Sequence, residues 1–418
     1  MRARLKYVAA LGVIGLSALA ALGGACSPDL PDEPYACGES GTCPDGYTCE
    51  STVCVKDGAT PAQVRSMRIT WINSAEMYWF DAPSGGADLV VNDGFTPGHR
   101  GLYEIHVSEL GDVDAPAQIF DFAEEFPTSS AVVALDAGHY GVLTMTFPPV
   151  TSNDQDVSFY SLDRDTKSDQ SGKPPVAKRT MQYLGGSEPA YVSAVRRTGG
   201  QVDVAYGDPN QGGRVVFARI VDGTWQDRFT LDLPSGVLPL SADCLLWDVG
   251  DGLLLRLGLE NPVLYYVPDT ATSAADVGAP LPVDGLPLYG FADSVLTLVT
   301  SDDGESAEYR LVDYDGNAIG QAIDGASQGG LEPHTGWVHD AGALVAPLSD
   351  DGSFSSLDFA YVTGSGIKKV GSYERTGNDE LYSSRAFVRD GRAYIAWTSF
   401  HDALMDLWVA SFPIEGFE

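Results

Sequence analysis

The sequence predicts an all-β chain: a single β-propeller of seven blades over residues 63–418, preceded by a small disulfide-rich stalk. Three observations predict it. Apolar residues in 63–418 alternate with polar ones or run in short blocks between turns, with little of the spacing of an amphipathic helix. One unit recurs seven times at about 50 residues, the length of a propeller blade. It consists of an apolar strand, a tight Asp- or Gly-bearing turn, a second apolar strand, a longer polar loop and a third strand. Gly 47 and Pro 25 among 418 residues supply turns for that many short strands.

Residues 1–25 read as a processing segment rather than structure. Arg2, Arg4 and Lys6 form a charged start, Tyr7–Leu22 is apolar but too short for a comfortable span, and Gly23-Gly24-Ala25 precede Cys26. This arrangement resembles the lipobox of bacterial lipoproteins, which implies cleavage before Cys26 and lipid attachment to it. Leu22 stands one place further from the cysteine than the common pattern. Cleavage by an ordinary signal peptidase, leaving Cys26 as a free thiol, is the alternative. The start Cys26-Ser27-Pro28 has no aspartate after the cysteine. By resemblance to lipoprotein sorting rules, this implies the outer membrane.

Residues 26–62 form the stalk and linker. Four cysteines, Cys37, Cys43, Cys49 and Cys54, fall within one short run, which in an exported chain reads as two disulfides. Three pairings are open. Cys37–Cys49 with Cys43–Cys54 is favoured because interleaved loops are common in such modules. Four thiolates could instead hold zinc, but no Cys-x-x-Cys knuckle is present. The run resembles the short cysteine-rich module that follows the lipid cysteine in myxobacterial-type surface lipoproteins. Pro-containing spacers at Ser27–Pro34 and Asp57–Pro61 flank it.

In residues 63–418 the expected hairpin turns are Asn73–Ala75, Asp136–Gly138, Thr198–Gly200, Gly250–Gly252, Ala292–Ser294, Asp340–Gly342 and Asp390-Gly391. The expected third strands are 101–107, 157–162, 214–221, 262–267, 307–312, 357–362 and 406–412, each with an aromatic residue to pack between blades. One blade cannot bury both faces, so neighbours must stack and the ring must close. Residues 413–418 are short for a last strand, so residues 55–66 are expected to supply one. The unit Val192–Trp225 resembles blades of sialidase-like exported propellers. Ser301–Gly304 and Ser349–Gly352 resemble truncated Asp-boxes of that family and are read as plain turns. A jelly roll or sandwich, the alternative fold, would not ordinarily repeat a three-strand unit seven times.

Charge limits function. The chain carries 58 acids against 25 bases, three of the bases in residues 1–25, for a net charge of −33. So few cations exclude nucleic acid and a polybasic hold on lipid as partners. No phosphate loop, dinucleotide glycine motif or cofactor motif occurs. Gly325-Ala326-Ser327-Gln328-Gly329 has the form of a nucleophile elbow but lies in a Gly-rich stretch with no helix pattern after it. The histidines His99, His106, His139, His334, His339 and His401 form no zinc motif. Cys244 reads as a core residue of a strand. Asp313–Asn317 and Asp163–Asp165 begin like calcium loops and lack their later ligands. A sialidase would need three arginines converging on a carboxylate, and Arg196, Arg197, Arg214, Arg256, Arg310 and Arg385 lie in the repeats.

The expectation is therefore an outer-membrane-anchored lipoprotein whose propeller is a non-enzymatic binding or scaffolding module for an envelope protein or glycan ligand. The alternative is an exported glycoside hydrolase, sialidase-like or another propeller enzyme. An envelope-assembly role rests on address and fold alone.

Overall fold

In the computed structural model the described residues are 35–36, 47–50, 53–56, 65–69, 76–93, 100–109, 111–122, 127–146, 154–182, 192–207, 214–232, 234, 244–258, 262–301, 307–325, 335–337, 343–345, 356–374, 380–389, 392–401 and 404–413. Their regular structure is strand, apart from a single 3-10 turn at Ala274–Asp276. The chain divides into two compact units, Met1–Ala62 and Gln63–Glu418.

In the first unit, β1 (Tyr35–Ala36), β2 (Tyr47–Glu50) and β3 (Val53–Lys56) form a small sheet in the order β1-β3-β2. Cys49 on β2 and Cys54 on β3 stand opposite one another in its register. Cys26, Cys37 and Cys43 lie outside the described residues.

The second unit opens with β4 (Arg65–Ile69), and its described strands form seven antiparallel sheets. Sheet A holds β5 (Glu76–Asp81), β6 (Ala87–Asp93), β7 (Gly101–Val107) and β8 (Ala117–Asp121). Sheet B holds β9 (Pro127–Asp136), β10 (His139–Thr146), β11 (Asp154–Asp163) and β12 (Ala177–Gln182). Sheet C holds β13 (Val192–Arg196), β14 (Val202–Gly207), β15 (Arg214–Val221) and β16 (Thr224–Asp232). Sheet D has three strands, β17 (Cys244–Asp248), β18 (Gly252–Leu257) and β19 (Val263–Pro268). Sheet E holds β20 (Leu286–Gly290), β21 (Ser294–Thr300), β22 (Ala307–Asp313) and β23 (Ile323–Gly325). Sheet F holds β24 (Thr335–Trp337), β25 (Ala343–Val345), β26 (Ser356–Thr363) and β27 (Gly366–Glu374). Sheet G holds β28 (Glu380–Arg389), β29 (Arg392–His401) and β30 (Leu404–Pro413), with β4 as its fourth strand.

Burial follows position in the sheet. The second strands β6, β14 and β18 are buried at every residue, with Asp88, Asp203 and Arg256 set among their apolar side chains. The outermost strand β16 is largely exposed and turns in only some of its side chains. It is joined to β15 by Asp222-Gly223, both at positive φ, the backbone a two-residue hairpin favours. Among the described residues sheet D has no fourth strand, and the edge of β19 is met by the segment after the 3-10 turn, where the Leu281 N–H donates to the Leu264 carbonyl.

The first strands of consecutive sheets lie against one another: β5 on β9, β9 on β13, β13 on β17, β17 on β20, β20 on β24, β24 on β28, and β28 on β5. Apolar side chains fill the junctions. Between sheets G and A, Phe387, Tyr394, Leu407 and Val409 pack with Ile69, Met77, Trp79, Leu89 and Ile105. Between B and C, Leu143, Met145 and Phe159 pack with Val202, Val204 and Tyr206. Each fully buried large apolar side chain contributes about 1.5–3 kcal/mol.

The seven expected third strands fall on β7, β11, β15, β19, β22, β26 and β30. The expected turns Asp340–Gly342 and Asp390-Gly391 lie outside the described residues, and one of the other expected hairpins needs correction. The residues after Asn73–Ala75 begin the first strand of sheet A, not the second, and the true turn is Ala82–Gly86. Gly86 is needed there: its φ is +78°, and a Cβ would sit 2.1 Å from the Val107 carbonyl oxygen.

The expected added strand is β4, at 65–69. Arg65 stands opposite Ser411 and Ile69 opposite Leu407, while Arg392 stands opposite Pro413. The chain thus reaches sheet G at the end holding the tight turn between β28 and β29. In an antiparallel meander the connections from second to third strand lie at the other end.

Candidate functional site

Sheet C gathers three guanidinium groups on one carboxylate. Asp203, on the buried strand β14, is fully buried. Arg219, its register partner on β15, donates to both its oxygens at 2.7 Å. Arg228 lies 3.6 Å and Arg197 3.8 Å away. Hydrogen bonding to Asp203 raises the Arg219 pKa further, whereas burial lowers that of Arg228.

Arg228 owes its direction to a bulge. Phe217 opposes Phe229 and Ala218 opposes Asp227, leaving Arg228 as the extra residue. Sheets A and F carry bulges at the corresponding place in their outer strands, with Ile119 and Val370 as the extra residues. Sheet C thus sets a cation where two other sheets set an apolar residue.

The cluster then crosses to sheet D. Arg197, in the turn after β13, donates to the Gly252 carbonyl at 2.7 Å, the Gly250 carbonyl at 3.1 Å and both Asp269 oxygens at 2.6 Å, and it also pairs with Asp248. Arg228 donates to the carbonyls of Asp269 at 2.9 Å and Ala271 at 2.7 Å. Arg389, the last residue of β28 in sheet G, likewise donates to the carbonyls of Ala82 and Gly86 in the first hairpin of sheet A, at 3.1 and 2.9 Å. Each arginine ties one sheet to the next.

A second cluster joins sheets A and B. Asp88 on β6 is 2% exposed. His106, its register partner on β7, lies with Nδ1 2.8 Å from one oxygen, and Arg164 donates to the other at 2.7 Å. The Arg164 guanidinium sits 4.5 Å above the Tyr140 ring and donates to the Asp81 carbonyl at 2.5 Å. Lys167 pairs with the buried Glu104. Burial alone would raise the Asp88 pKa, but hydrogen bonds with His106 and Arg164 and the charges of Arg164 and Lys167 hold it below the usual carboxylate value. Its stabilisation is therefore present above the unfolded value of about 3.9 and is lost as pH falls through the lower folded value. The urea midpoint of the wild type should fall on acidification below about pH 4, and the gap to Asp88→Asn should narrow there. A gap constant between neutral and acid pH would contradict this role.

A cleft of about 310 Å3 opens beside the first cluster, between β12 and sheet C. Arg179 and Met181 line one side, and Tyr206, Asp227 and Phe229 the other. Arg179 and Asp227 pair across it at 3.0 Å.

The sequence candidates are dispersed. Asp313 caps its own turn, accepting from the backbone N–H groups of Asp315 at 3.0 Å and Asn317 at 2.8 Å. Asp163 accepts from the Asp165 N–H at 2.9 Å, while Arg164 between them points inward to Asp88. Cys244 begins β17, and Gly325 ends β23. Ser327, His99, His334 and His339 lie outside the described residues. Among the described residues no group of three or more His, Cys, Asp or Glu side chains could hold a metal ion. Of the arginines singled out in the repeats, Arg197 joins the first cluster. Arg219 and Arg228 were missed, because their convergence depends on register and on a bulge.

No protein-family model and no curated protein sequence matches the chain. Solved structures do. Trypanosoma rangeli sialidase in complex with the inhibitor DANA is 9% identical, with a TM-score of 0.46, over 83% of this chain and 59% of that one. Trypanosoma rangeli sialidase in another structure is 10% identical, with a TM-score of 0.43, over 85% and 60%. The subtype N10 neuraminidase-like protein of A/little yellow-shouldered bat/Guatemala is 12% identical, with a TM-score of 0.38, over 82% and 98%. The chain spans about three-fifths of the length of the sialidases.

Proposed function

We propose that this chain is a lipid-anchored lipoprotein of the outer membrane. On this reading residues 63–418 form a closed seven-bladed propeller, a non-enzymatic binding or scaffolding module for a protein or glycan ligand of the envelope. The stalk of residues 26–62, stapled through Cys37, Cys43, Cys49 and Cys54, spaces it from the lipid on Cys26. The cyclic packing of first strands and the pairing of β4 with β30 favour closure.

One observation carries the functional reading. The chain enters the domain through Arg65 at the tight-turn end of sheet G. The connections between second and third strands lie at the other end of the sheets, clear of the entering chain. Such loop-bearing ends are where rigid scaffolds place recognition. The paired arginines support binding over hydrolysis. Arg197, Arg219 and Arg228, the guanidinium groups converging on one carboxylate, are engaged by the chain's own Asp203, Asp248 and Asp269.

The anchor is tested by fractionation. Cys26→Ala should move the protein from the membrane to the soluble fraction; continued membrane retention would refute the lipid anchor.

A further inference from the structure

The connection from β11 to β12 leaves sheet B and runs over sheet A. Arg164 reaches Asp88 and the Asp81 carbonyl, and Lys167 reaches Glu104. Asp169 accepts from the Asp121 N–H at 2.9 Å, and the Gln170 N–H donates to the Ile119 carbonyl at 3.0 Å. The Gln170 side chain holds the segment in shape, accepting from the Asp163 N–H and donating to the Asp163 and Thr166 carbonyls. Residues 164–176 are thus a strap from one sheet to its neighbour, with Arg164 and Gln170 buried beneath it.

We propose that this strap is a pH-responsive clamp, held tight while His106 carries a proton and loosened when that proton leaves. Asp88 couples the two groups, because its two oxygens are shared between the strap's Arg164 and His106. A charged imidazole helps keep Asp88 ionised and aligned for Arg164, and a neutral one makes a weaker bond. The groups around His106 are Asp88 on β6, Glu104 on its own strand, Asp114 in the loop after β7, Tyr140 on β10, and Arg164 and Lys167 on the strap. The hydrogen bond to Asp88 raises the His106 pKa above 6.5 against the opposing effect of burial, with the charges of Asp88 and Asp114 adding to it. The extra hold is therefore complete below pH 6.5 and is lost as pH rises through the higher folded value.

Hydrogen exchange of the full chain reads the clamp at two amides that cross between sheets, Gln170 and Asp121. After correction for intrinsic exchange, their protection should fall about fivefold between pH 5.5 and 8, the difference between a charge-assisted and a neutral hydrogen bond. In His106→Gln the same amides should show no such dependence. A flat wild-type profile, or an equal slope in the variant, would overturn the proposal. Should the variant not fold, NMR titration of the wild type decides: the His106 imidazole and the Gln170 amide should share one midpoint, and separate midpoints would overturn it.

Discussion

A chain that begins at Gln63 should unfold in one transition at the midpoint of the longer chain, whereas one that begins at Trp71 should lose about 4 kcal/mol or more. The difference is β4. Its five residues make the outer ladder of sheet G, and Ile69, 4% exposed, sits among Met77, Trp79, Phe387 and Leu407. Removing it strips a ladder from β30 and opens a hole where the last sheet meets the first. Ile69→Ala isolates the packing share and should cost about 2–4 kcal/mol, as the cavity left by a large-to-small change in a core does. Urea denaturation of the two truncations and the point variant checks both values. Equal midpoints for the chains starting at 63 and 71 would show that β4 holds nothing together.

The second large effect is expected at Asp203. Asp203→Ala leaves Arg197, Arg219 and Arg228 facing one another with their common counter-charge gone. Breaking a buried pair in this way costs about 3–5 kcal/mol. Because the cost comes from uncompensated charge, removing a cation as well should return part of it. Asp203→Leu combined with Arg219→Leu should be more stable than Asp203→Ala alone. Equilibrium denaturation of the single and double variants measures this. If the double variant loses the sum of the Asp203→Leu and Arg219→Leu single losses, the cluster is not coupled as described.

The strands were legible because burial marks them locally. The third strand carries an aromatic among apolar neighbours in every repeat, and all seven are found. The first hairpin misled because Asn73-Ser74-Ala75 has turn chemistry, while Ala82–Gly86 follows Trp79 and Phe80 and reads as a break after them. The shortage of chain after β30 points to an added strand, but the expected residues 55–66 share only Arg65 and Ser66 with β4, and Val55 and Lys56 belong to β3. The clusters were not legible. Arg164 and Asp88 are 76 residues apart, and Arg197 and Asp269 are 72 apart. Arg228 lies beside a run of exposed strand residues, and its turn inward depends on one extra residue in the register. Local patterns give the strands, but sheet-to-sheet contacts depend on how the repeats stack.

The most direct test of the binding reading is site-directed photo-crosslinking in intact envelopes with the full lipidated protein. Probes at Arg214 and Thr300 mark the end of the sheets holding the connections from second to third strand, and probes at Gly199 and Asp251 mark the tight-turn end. One abundant, repeatable partner, protein or glycan, is expected from Arg214 or Thr300 and none from Gly199 or Asp251. Partners only at the tight-turn end, or none at either end, would contradict it.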